Sequence, residues 1–109
     1  MNRFTLSLLA AAALCVSAAA SAGDGSGNIT RLTAYGTAVI FTVESHPSPA
    51  PCGPGGAFVI NASTPEGKTM YATLLTAIAS SRPISVYGSN TCPSYWGDSE
   101  LSNSVTIAM

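Results

Sequence analysis

The chain has 109 residues, only 8% of them charged, and a formal net charge of −1. Its four Lys and Arg residues are scattered, which excludes nucleic-acid binding through a cluster of phosphate contacts. A length of 109 residues admits one domain, and a single histidine and three cysteines leave little from which to assemble a hydrolytic or metal centre.

Residues 1–22 read as an export signal. Arg3 precedes the apolar run Phe4 to Val16, and Ala20-Ser21-Ala22 is an A-x-A triplet suited to cleavage before Gly23. Acylation of Cys15 would need a small residue before it, where Leu14 stands. An uncleaved anchor would need roughly 20 apolar residues, and Ser17 and Ser21 interrupt this tract. The expected product is one domain, residues 23–109, secreted or periplasmic, with no membrane insertion after cleavage; the short Ala-rich signal is of bacterial type. Such a domain buries only about 60 to 65% of its unfolded surface, so a covalent staple is useful.

Asp24 to Gly27 (DGSG) reads as a flexible leader. Ile29 to Tyr35 and Thr37 to Glu44, rich in Thr, Val, Ile, Tyr and Phe around Gly36, predict a hairpin. Ser45 to Gly56 (SHPSPAPCGPGG) carries four prolines and three glycines and must be a loop. Ala57 to Asn61 predicts a third strand. Ser63-Thr64-Pro65-Glu66 then supplies a hydroxyl cap, a first-turn proline and an acid at the positive end of a helix running to about Ser81. Met70, Leu74, Ile78, Tyr71 and Leu75 form its expected apolar stripe, with Thr69, Thr73, Thr76 and Ser80 on the wet side.

After Pro83, Ile84 to Tyr87 predicts a fourth strand, a turn-rich loop carries Cys92, and Ser104 to Met109 predicts a fifth strand. The order β-β-β-α-β-β is that of an OB-fold-like five-stranded barrel, mainly β with one helix. A ferredoxin-like fold would need a helix between the first two strands, where the residues offer none. With Cys15 removed, Cys52 and Cys92 form an even pair, expected as one disulfide between the proline-rich loop and the loop after strand four. The alternative, a metal site of Cys52, Cys92 and His46, lacks C-x-x-C or H-x-x-x-H spacing. No metal or cofactor is expected.

No catalytic residue is expected either. His46, in a Ser-His-Pro context, has no G-x-S-x-G turn to serve and reads as a solvated loop histidine. Asp98 and Glu100, two apart on one acidic loop, read as solubility charges, not as a glycosidase pair, and Glu66 as a cap. The string Gly53-Pro54-Gly55-Gly56 precedes a strand and lacks the Lys-Ser or Lys-Thr of a phosphate loop. Tyr35, Tyr87, Tyr95 and Trp96 suit a stacking platform at a barrel rim. Their plainer role is structural, with Trp96 covering the disulfide and Tyr87 filling the barrel mouth. Asn28-Ile29-Thr30 and Asn61-Ala62-Ser63 match the N-glycosylation pattern, which matters only in a eukaryotic secretory path.

The run Thr69 to Gly88 (TMYATLLTAIASSRPISVYG), followed by Cys92 and Trp96, resembles the helix and fourth strand of the B subunits of subtilase cytotoxin and pertussis-like toxins. It looks closer still to small secreted bacterial proteins of that group. The resemblance implies an OB-fold that binds sialylated glycans on its outer side, as a pentamer, through an aspartate and a serine near the mature N-terminus and a tyrosine ending strand four. Asp24 and Ser26 match the first two; Gly88 stands at the tyrosine's position, one past Tyr87. The expectation is ligand binding without catalysis: Asp24 and Ser26 hydrogen-bond a sugar, and Tyr87 packs on its ring face. A protein-interaction or envelope module is the second class, with a homo-oligomer or partner protein, and a small hydrolase is the third.

Overall fold

The computed structural model describes residues 23–109; the expected export signal, with Arg3 and Cys15, lies outside the described residues. Five strands and one helix follow in the order β1 (Gly25–Tyr35), β2 (Ala38–Ser45), β3 (Phe58–Asn61), α1 (Pro65–Ala79), β4 (Ile84–Gly88) and β5 (Glu100–Ile107). The strands close into a ring, β1-β2-β3-β5-β4, in which β3 and β5 run parallel and every other pair antiparallel. This is the mainly β, OB-fold-like architecture with one helix that the element order predicts.

Closure depends on the segment expected to be a flexible leader. It is strand: Gly25, Ser26 and Gly27 pair with Val86, Ser85 and Ile84 of β4, while the rest of β1 pairs with β2. Changing partners requires a bend, and β1 supplies it with register shifts around Gly27, whose φ is +110°. Asn28 N–H, lifted out of the ladder there, donates to Glu44 Oε1 at 2.6 Å. Gly25 lies so close to the core that a Cβ would sit 2.8 Å from Phe58 Cε2 and 3.0 Å from Val43 Cγ2. The glycines that suggested a loop are what let the strand cross the barrel. At the other end of the chain β5 begins at Glu100, four residues before the expected start, because Glu100 and Leu101 pair with Phe58 and Val59.

The period of two along β2 and β3 sorts their side chains into two clusters. Val39, Phe41, Val43, Phe58 and Ile60 point inward with Ile84 and Val86 and meet Leu74 and Ala77 of α1. Phe41 and Phe58 stack with ring centroids 5.4 Å apart. Ala38, Ile40, Ala57 and Val59 point outward, yet they too are buried, beneath Trp96. Burial on both faces explains why these strands read as continuous apolar runs. Trp96 therefore covers the outer face of β2 and β3 and contacts Tyr35 at 5.4 Å between ring centroids.

Thr64 caps α1, its Oγ1 accepting from Gly67 N–H at 3.0 Å. The buried seam is Gly67, Leu74 and Ala77 with half-buried Met70 and Tyr71; Leu75 and Ile78, placed on the apolar stripe by their spacing, are each 44% exposed. The small residues decide this, because they let the helix approach the sheet along the line they define. At Gly67 the approach is closest, since an added Cβ would overlap the Asn61 carbonyl. Gly67→Ala is therefore expected to reverse the usual helix preference, in which alanine gains about 1 kcal/mol over glycine, and to destabilise by about 1–3 kcal/mol. Urea denaturation measures it, and a stabilised variant would refute the tight contact.

Candidate functional site

Antiparallel pairing brings residues from distant segments to one outer surface. Ser26 on β1 faces Ser45 of β2 on one side and Ser85 of β4 on the other, so three exposed serines run in a row across three strands. Continuing the β1–β4 register one residue puts Asp24 opposite Tyr87. These side chains, with Pro47, line a cleft of about 280 Å³, lined also by Gly25 and Val86. All three residues assigned to ligand binding from the sequence, Asp24, Ser26 and Tyr87, share it. Tyr87 is 59% exposed and forms a wall of this cleft, so it does not fill the barrel mouth. Ser45, Pro47 and Ser85 were not singled out from the sequence; the alternation of Asp24 with Ser26 and of Ser85 with Tyr87 is their signal, but it acquires meaning only once β1 and β4 are paired.

The barrel mouth holds Glu100. It is 0% exposed, and its carboxylate gathers three partners: Oε1 accepts from Ala50 N–H at 3.1 Å and meets His46 Nε2 at 3.2 Å, and Oε2 accepts from Asn90 N–H at 2.9 Å. His46, whose side chain is 5% exposed, stacks on Phe58 with ring centroids 4.2 Å apart. Its Nδ1 lies 2.8 Å from the Gly56 carbonyl, which can only accept, so Nδ1 carries a hydrogen and the Nε2–Oε1 contact holds one proton on one side or the other. Both expectations for these residues are thus corrected: His46 is not a solvated loop histidine and Glu100 is not a solubility charge. Their environment is set by contact across 54 residues of sequence, which local composition does not reveal.

With both ring nitrogens engaged, His46 has none free to act as a base. Asp98 and Glu100, two apart in sequence, do not form a carboxylate pair, since Asp98 is exposed and Glu100 is buried. Cys52 and Cys92 form the expected disulfide, with Cα atoms 6.2 Å apart, which rules out the three-ligand metal site drawn from them and His46. Tyr95 is 43% exposed and borders a separate cleft with Thr64 and Met70; partial burial pushes its phenol above its usual pKa, so it remains a hydrogen-bond donor at neutral pH.

The brace around Glu100 also shapes the cleft. Ala50 and His46 belong to the loop that carries Pro47, and Asn90 to the loop that follows Tyr87. The disulfide joins the same two loops. Gly88 sits against this group, and a Cβ there would overlap both Glu100 Oε2 and the Gly23 carbonyl. Position 88 therefore has no room for a tyrosine, and Tyr87, one residue earlier, is the aromatic that faces outward. Comparison with known proteins adds no assignment: no protein family, no curated protein and no solved structure matches this chain.

Proposed function

We propose that the protein is an exported, non-catalytic glycan-binding module whose site is the Asp24–Ser26–Tyr87 cleft. The observation that carries this reading is the convergence of Asp24, Ser26 and Tyr87 with two further serines on one outer surface. Serine hydroxyls both donate and accept, a carboxylate accepts from paired sugar hydroxyls, and a tyrosine face packs on the C–H face of a pyranose. Asp24 is the only charged residue lining the cleft, so a neutral sugar suits it better than the acidic sugar that the toxin resemblance implies. The disulfide supports export, because such bonds persist in oxidising compartments.

A glycan array probed with the oxidised protein tests this. Neutral glycans are expected to be retained over sialylated ones, and Tyr87→Ala or Ser26→Ala to weaken the best ligand by about tenfold, a loss of about 1.4 kcal/mol. An array on which nothing is retained, or retention that these variants leave unchanged, ends the reading. A second reading, a protein-interaction module, draws on the exposed Leu75 and Ile78 of α1. Native mass by light scattering reads a second copy at that face, and cross-linking reads a different partner.

A further inference from the structure

A cleft larger than the Asp24–Ser26–Tyr87 one lies elsewhere, on the outer face of β1 to β3 beside Trp96. Its volume is about 460 Å³, within the range of small-ligand sites. Its lining is mixed: Ile40, Ala57 and the half-buried Trp96 indole give apolar surface, and Thr33 and Ser99 give polar surface. Arg31, on β1, and Asp98, on the loop before β5, line it as well. The two charges do not pair, since the only ion pair among the described residues is His46 with Glu100. One cation and one anion, neither in an ion pair, thus border the same hollow, Asp98 Oδ1 also accepting from Ser99 Oγ–H at 3.1 Å.

We infer that this cleft binds a short apolar peptide with free termini. The peptide carboxylate meets the Arg31 guanidinium, its ammonium meets Asp98, and an apolar side chain lies against Ile40, Ala57 and Trp96. A zwitterion is the ligand whose charges answer both residues. An acidic sugar would use Arg31 and be repelled by Asp98. A nucleic acid would find a single cation. A proline-rich segment needs a slot between aromatic rings, and Tyr35 and Trp96 close theirs by touching at 5.4 Å with planes tilted by 56°. The hollow opens on the face of the sheet, so recognition there falls to the side chains.

The chain has one tryptophan, which makes its fluorescence a reporter of this cleft. Titration of the full mature, oxidised protein with Leu-Leu is expected to shift the Trp96 emission saturably, with a Kd near about 1 mM or tighter. N-acetyl-Leu-Leu and Leu-Leu amide are each expected to bind about tenfold more weakly. Arg31→Gln should abolish the penalty for amidation and Asp98→Asn the penalty for acetylation, each leaving the other penalty in place. No saturable shift, equal binding of the capped peptides, or a shift given instead by trigalacturonate would each overturn the assignment. Asp24→Asn should leave the titration unchanged, so this inference and the glycan reading stand or fall separately.

Discussion

Glu100→Ala is expected to lower the unfolding free energy by about 3–5 kcal/mol, measured by urea denaturation of the oxidised protein. The side chain is wholly buried, and its removal leaves Ala50 N–H, Asn90 N–H and His46 Nε2 facing a void at the barrel mouth. Each orphaned polar group costs about 1–3 kcal/mol unless water reaches it, and the lost methylenes add a cavity. Glu100→Gln separates charge from shape. The amide oxygen satisfies Asn90 N–H and the amide nitrogen donates to His46 Nε2, but that nitrogen then opposes Ala50 N–H, donor against donor. Gln should therefore cost about 1–3 kcal/mol, less than Ala but not nothing. A loss below about 1 kcal/mol for Ala would mean that the burial of Glu100 offsets all that its hydrogen bonds contribute.

The difference between Glu100 and Thr64 shows which parts of this molecule are legible in one sequence. Thr64 caps a helix three residues away, and the pattern Ser-Thr-Pro-Glu announces it. Strands β2, β3 and β4 are equally local, their alternation or apolar continuity standing within a few residues. Glu100 draws its meaning from partners 10, 50 and 54 residues away, and no periodicity relates them. The glycines at 25, 27 and 88 mislead for a related reason. Alone they signal a turn, whereas here each is dictated by atoms from another element: Phe58 and Val43 at Gly25, Glu44 at Gly27, Glu100 at Gly88. The candidate cleft lay between these cases. Asp24 and Ser26 came from likeness to the toxin subunits and Tyr87 from its place as the aromatic ending strand four, while the serine row and the outward aspect of Tyr87 follow only from the β1–β4 pairing.

Removing the disulfide by Cys52→Ser with Cys92→Ser is expected to cost about 4 kcal/mol, the chain-entropy value for a closed loop of this length. The sequence separation is 40 residues, so the bond restricts nearly half of residues 23–109 when unfolded. For a domain whose whole stability falls in a range of about 5–15 kcal/mol, that loss leaves little in reserve. The more telling measurement adds Glu100→Ala to the cysteine pair. Disulfide and carboxylate brace the same two loops, through Cys52 and Ala50 on one side and Cys92 and Asn90 on the other. Once the covalent link is gone and Glu100 is absent, the loops open together and water satisfies the amide groups that were orphaned in the single variant. The combined loss should then fall short of the sum by more than about 0.5 kcal/mol, the limit within which independent sites add. Additivity within that limit would mean that each brace holds its loop alone. The shortfall is the expected result, because the walls of the Asp24–Ser26–Tyr87 cleft, Pro47 on one loop and Tyr87 beside the other, are held by one structure and not two.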